Sequence, residues 1–175
     1  RNIIWVTAHI RGGMERGMKW WNEGKMLNKK NTFEDYIAVA KYLIKKKYTS
    51  KKRILGMGGS AGGLLMGAVV NQAPALFLGI IMAVPFVDSL TTNLDHSLPL
   101  TVGEFKEFGN AKDNKKHFNY IFSYAPYNNI KKMDYPHMLV TTSLSDNRVL
   151  FDEPAKYVAK LRDFKTDNNI LLLKT

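Results

Sequence analysis

The sequence contains no cysteine. That excludes disulfides and any thiolate metal site. No apolar run approaches the roughly 18 residues a membrane helix needs. The first apolar stretch, Ile3–Val6, is too short for the hydrophobic core of a secretion signal. From this composition we expect a cytoplasmic protein with no membrane partner. Acidic residues are scarce, 15 against 26 Lys and Arg, for a formal net charge of +11. Such a balance favours polyanions at long range. Yet the lysines sit in scattered pairs, Lys29-Lys30, Lys51-Lys52, Lys115-Lys116 and Lys131-Lys132 among them. None is interleaved with aromatics or set in an arginine-rich arm. They read as solvated faces, and no nucleic-acid partner is expected.

What is present describes a globular chain. At 175 residues, 45% hydrophobic and 11% aromatic, it is one domain able to bury a core. Residues 2–10 are apolar and β-branched, as in a buried strand. A glycine-punctuated loop follows. A helix is expected to open at Asn31-Thr32, with Thr32 as its cap and Asp35 three residues on. Phe33, Tyr36, Ile37, Ala40, Leu43 and Ile44 keep helical spacing. Strands are predicted at 53–57, 77–88, 137–143 and 170–173, and helices at 61–72 and 154–165. Residues 89–136, with prolines at 99, 126 and 136, read as irregular. Strands alternating with helices predict an α/β fold, a mostly parallel sheet with helices on both faces.

The stretch RILGMGGSAGGLLMG, residues 53–67, concentrates glycines around one serine. Gly56, Gly58 and Ala61 satisfy a dinucleotide-binding turn in form. That fingerprint also wants an acid about 20 residues on, and no Asp or Glu stands between Lys51 and Val87. A phosphate loop needs Gly-Lys-Ser/Thr, and here Gly62-Gly63 leads into leucine. The remaining reading is the nucleophile elbow G-x-S-x-G, residues 58–62. There a strained strand-to-helix turn lifts the Ser60 hydroxyl out of the sheet. Side-chain-free neighbours avoid clashes, and the Ala61 amide at the helix start faces a developing oxyanion.

An activated serine needs a base, and the base an orienting carboxylate. Asp146, after the strand at 137–143, is the expected acid. Asp88 also follows a strand and competes with it. The four histidines, His9, His96, His117 and His137, all precede Asp146, out of order for a serine–acid–histidine fold. We read them as structural. None forms a metal pair, and no cofactor is expected.

Segments including AHIRGGMERGMKWWNEGK, GMGGSAGGLLMG, VPFVDSLTTNLDHSLPLTVGEFKEFGN and YPHMLVTTSLSDNRV resemble, over essentially the whole chain, the catalytic domain of the prolyl oligopeptidase family of serine peptidases, its oligopeptidase B branch in particular. The resemblance implies an α/β-hydrolase fold and hydrolysis of peptides after basic residues. It implies Ser60 as nucleophile, Asp146 as triad acid and Ala61 as an oxyanion donor. It also implies Arg148 as the arginine that holds a substrate carbonyl. In the family, Gly-Glu-Phe-Glu-Glu-Trp-Gly receives the basic side chain on its first two glutamates. Here Glu104 is kept and Lys106 stands in the second place, either repelling the substrate cation or turning to solvent so that Glu104 or Glu107 suffices. The family's catalytic histidine falls beyond Thr175, its oxyanion tyrosine upstream of Arg1, and its β-propeller elsewhere. Residues 1–175 are therefore expected to be a partial catalytic domain, truncated at both ends and inactive alone, with a carboxyl-terminal segment supplying the histidine. The competing expectations are a catalytically dead binding module and a small-molecule esterase.

Overall fold

The computed structural model describes residues 3–175. Four strands, β1 (Ile54–Gly59), β2 (Phe77–Ala83), β3 (His137–Thr141) and β4 (Leu171–Lys174), form one sheet in the order β1-β2-β3-β4. All three pairings are parallel. The chain therefore returns to the amino edge after each strand. The longest returning helices are α3 (Ala61–Gln72) between β1 and β2, and α7 (Asp152–Phe164) between β3 and β4. The short α1 (Met18–Asn22) and the long α2 (Lys30–Lys45) precede β1.

The sheet's side chains sort by register. Gly56, Ile80, Met138 and Leu171 align across the strands, as do Gly58, Met82, Val140 and Leu173. This face belongs to the core, with Phe33 and Ile37 of α2, Leu64, Met66 and Val70 of α3, and Tyr157 and Leu161 of α7. On the opposite face Met57, Ile81, Leu139 and Leu172 align, and Met57 and Leu172 are more than half exposed. Among the described residues the helices thus cover one face. The other, expected to be covered as well, stays open.

The helix at 61–72 matches the sequence reading, and the strand at 53–57 runs on to Gly59, but the strand expected at 77–88 ends at Ala83, where the chain turns at Val84 with φ 42°. Three other expectations fail. Residues 3–10 join no ladder, and Ile3, Ile4 and Trp5 are exposed; Asn2 lies outside the described residues. β-propensity alone does not make a strand, which needs a second backbone edge to pair with. Thr32 does not cap α2. Its hydroxyl donates to the carbonyls of Arg11 and Gly24, and the N-cap is Lys29. Asp35 instead takes a two-pronged ion pair from Arg11, at 2.8 and 2.6 Å, plus the Arg11 amide at 2.9 Å. Burial raises the Asp35 pKa, but these bonds outweigh it and hold the carboxyl below its usual range. Finally, residues 89–136 hold three helices, α4 (Ser89–Leu94), α5 (Phe105–Phe108) and α6 (Lys115–Phe122). The start of α6 was legible in principle: Asn114 accepts from the Lys116 and His117 amides, as an N-cap asparagine does.

The glycine cluster yields a differential prediction. A Cβ on Gly63 would lie 2.4 Å from the Pro85 backbone, whereas one on Gly62 meets nothing within 4 Å. Gly63→Ala is expected to destabilise by roughly 1–3 kcal/mol through overpacking. Gly62→Ala should be neutral or stabilise by up to about 1 kcal/mol through helix propensity. Urea unfolding of the two variants checks this ordering.

Candidate active site

Ser60 joins β1 to α3 at φ 53° and ψ −119°. For an L-residue this conformation costs on the order of 1–3 kcal/mol unless its surroundings enforce it. They do. The Ser60 amide donates to Ala83 at 3.0 Å. Its carbonyl accepts from Gly63, Leu64 and Phe86 at 2.8, 3.2 and 3.1 Å. The serine is thereby fixed between the start of α3 and the turn after β2. A Cβ on Gly58 would meet the Gly62 carbonyl oxygen at 2.2 Å, so the helix start can fold back only over glycine. Ser60 and Ala61 are exposed, at the carboxyl end of the sheet. Val84, at φ 42°, is a second strained residue in the adjoining turn. Its amide donates to Thr141 at 2.8 Å.

The loop after β3 opens at the same sheet edge. Asp146 Oδ1 accepts from the Arg148 and Val149 amides at 2.9 and 3.1 Å. The carboxyl thus closes the turn, and Oδ2 accepts no hydrogen bond among the described residues. Asp88, the competing acid, is only 1% exposed at its side chain, and its Oδ2 lies 2.5 Å from Lys156 Nζ. That pairing removes it from service as a free orienting group.

No histidine among the described residues hydrogen-bonds Ser60 or Asp146. His137 starts β3, at the opposite sheet edge, and accepts from the Ile170 amide. His117 accepts from the Asn110 amide. His96 packs its edge on Phe105. His9 lies 3.9 Å from Glu15. Without a base the hydroxyl stays a weak nucleophile.

The two glutamates of residues 103–109 differ in their surroundings. Glu107 is already engaged: Lys29 Nζ lies 2.8 Å from Oε1, and the Trp21 indole donates to Oε2 at 2.9 Å. The Lys29 side chain is 9% exposed and also lies over the Phe108 ring, 5.2 Å from its centroid. Glu104 is half-buried with no such partner. Burial chiefly raises its pKa and the Glu107 charge adds to this, while Arg148 and Lys29 pull it back down. Arg148 and Glu104 thus lie within electrostatic reach of each other. Lys106 is exposed. The sequence reading missed Lys29 and Trp21, because their partner stands 78 and 86 positions away and no local pattern links them.

Comparison with known proteins accords with this geometry. The model of the prolyl oligopeptidase family matches residues 1–175. The chain is 54% identical over 175 residues to Protease 2 of Moraxella lacunata, covering all of this chain and 25% of that protein. It is 49% identical over 175 residues to dipeptidyl aminopeptidase BI of Pseudoxanthomonas mexicana, covering 24% of that protein. The chain therefore spans about a quarter of the length of these curated relatives. Oligopeptidase B from Leishmania major superposes with a TM-score of 0.92 at 49% identity, over 95% of this chain and 23% of the other. Oligopeptidase B from Trypanosoma brucei, with covalently bound antipain, gives 0.92 at 48% identity over the same shares. The fold shared with these structures is the family's α/β hydrolase.

Removing the cation at Glu107 tests the engaged pair. Lys29→Met should destabilise the chain by about 1–3 kcal/mol by leaving a part-buried carboxylate without its charged partner. Urea titration followed by tryptophan fluorescence reads this directly.

Proposed function

Since the chain belongs to the prolyl oligopeptidase family, we propose that it carries the nucleophile and receptor half of a serine oligopeptidase that cleaves peptides after basic residues. The observation that carries this reading is the enforced backbone of Ser60, beside an amide-lined helix start. Ser60 attacks the scissile carbonyl, and its proton passes to a base held by Asp146. The carbonyl oxygen becomes an oxyanion that the Ala61 amide stabilises. The base then returns the proton to the leaving amine as its bond breaks, and water, deprotonated by the same base, releases the acyl group from Ser60. Arg148 holds a substrate carbonyl. Glu104 receives the guanidinium or ammonium of the residue before the cleaved bond, since Glu107 is already neutralised by Lys29. Lys106 is at the surface, so its charge is screened by water. Peptides are the partners in this reading, and the cytoplasm its setting. No helix among the described residues is long and apolar enough to cross a membrane.

Two measurements test the proposal. Purified as 175 residues, the chain should hydrolyse peptides on the order of a million-fold more slowly than an intact enzyme, because no base is in place. At its natural length, the protein should cleave an Arg-ended reporter in preference to a Leu-ended one. Glu104→Gln should then cut that preference on the order of tenfold or more, while Lys106→Glu leaves it within a few-fold. Hydrolysis that persists in Ser60→Ala refutes the nucleophile; an Arg preference indifferent to Glu104 refutes the receptor.

A further inference from the structure

A buried carboxyl outside the expected triad ties the two functional loops together. Glu153 lies in the first turn of α7, seven residues after Asp146, and is 4% exposed. Its Oε2 accepts from the Asp88 amide at 3.0 Å, and Oε1 pairs with the Thr92 hydroxyl at 2.5 Å. Both partners belong to α4 and its N-cap. The contacts continue from there. The Thr92 carbonyl accepts from the Thr101 hydroxyl at 3.0 Å. Asn93 donates to the Gly109 carbonyl at 2.9 Å and accepts from the Ala111 amide at 2.7 Å. Thr101 and Gly109 bracket Glu104. On the other side, the Glu153 amide donates to Leu150, next to Val149, whose amide bonds Asp146. An unbroken path of hydrogen bonds and short chain steps thus runs from Asp146 through Glu153 and α4 to both flanks of Glu104.

We propose that Glu153 is a positioning residue that couples the Asp146 loop to the Glu104 segment, and that its protonation sets how firmly the basic-residue receptor is held. This rests on the peptidase reading above. In the neutral form one oxygen accepts from Asp88 and the hydroxyl donates to Thr92, so both bonds are kept. In the ionised form Glu153 and Asp88 are two buried carboxylates facing one ammonium, Lys156, itself shared with Asp152 at 3.5 Å. A buried cluster with surplus charge is less tightly held than a balanced one. Burial is the main cause that pushes the Glu153 pKa from its ordinary 4.5 up to about 7, and the Asp88 charge adds to it. Hydrogen bonds from Thr92 and the Asp88 amide, and the Lys156 charge, oppose it. The folded chain therefore holds this proton where the unfolded chain has lost it. Its contribution to stability is complete below about pH 4.5 and is lost as pH rises to about 7.

Glutamine reproduces the neutral form, with its carbonyl for Asp88 and its amide donor for Thr92, whereas alanine removes both bonds. The test uses the protein at its natural length with Arg- and Leu-ended reporters either side of neutral pH. Taking the ratio of the two KM values cancels titrations common to both reporters. Burial raises the Glu104 pKa as well, but Glu104 is unchanged in every variant, so the difference between wild type and Glu153→Gln isolates Glu153. In the wild type the Arg-reporter KM should rise, relative to Leu, as pH climbs through 7. In Glu153→Gln this rise should vanish with Arg binding kept. In Glu153→Ala the Arg-reporter KM should be raised on the order of tenfold at all pH values. If Glu153→Ala does not fold, the glutamine comparison decides alone. Ser60-dependent hydrolysis with a wild-type pH profile in Glu153→Gln overturns the coupling and leaves the peptidase reading intact. Hydrolysis that never depends on Ser60 overturns both.

Discussion

The backbone of one serine constrains everything around it. Ser60 is held in a left-handed conformation by an amide bond to Ala83 and by three amides converging on its own carbonyl. Those partners come from β2, from α3 and from the turn after β2. Satisfying them fixes the spacing of the first two strands and the angle at which α3 leaves the sheet. It also requires glycine where the turn and the helix meet other backbone, at Gly58 against Gly62 and at Gly63 against Pro85. Buried backbone polar groups must be paired, and here the pairing itself forces the strain. The hydroxyl is left exposed as a consequence, on a rigid scaffold rather than a mobile loop.

The acidic residues named above divide into engaged and available groups. Asp35 is held by Arg11, Asp88 by Lys156 and Glu107 by Lys29. Each of these pairs ties one loop or helix to another. Among the described residues, Asp146 keeps one oxygen without a partner, and Glu104 accepts no side-chain hydrogen bond. In the function proposed above, Asp146 and Glu104 are the carboxylates left to act on a peptide. Glu153 extends this logic, because it holds two loops in place through bonds that survive its protonation.

Much of this was legible in the sequence where the signal is local. The elbow could be read because strain, glycine and a following helix fall within fifteen residues. The alternation of β1, α3, β2 and the later α7 could be read from runs of apolar residues with distinct periods. Asp146 and Asp88 both follow strands in the sequence, and only the structure separates them, by pairing Asp88 with Lys156. What could not be read is non-local. The Lys29–Glu107–Trp21 cluster and the Glu153–Thr92 bond join residues over 60 positions apart. Residues 3–10 have the composition of a strand, but whether they form one depends on a partner edge, which composition does not encode. The short helices α4, α5 and α6 were hidden because each spans at most eight residues, too few for a periodic pattern to register.

The central claim, that the enforced turn makes Ser60 the nucleophile, is tested most directly by covalent chemistry. The protein at its natural length is treated with a fluorophosphonate probe, digested, and the modified peptide sequenced by mass spectrometry. The account predicts a single stoichiometric adduct on Ser60, lost in Ser60→Ala. An adduct on another residue, or labelling undiminished by Ser60→Ala, would contradict it.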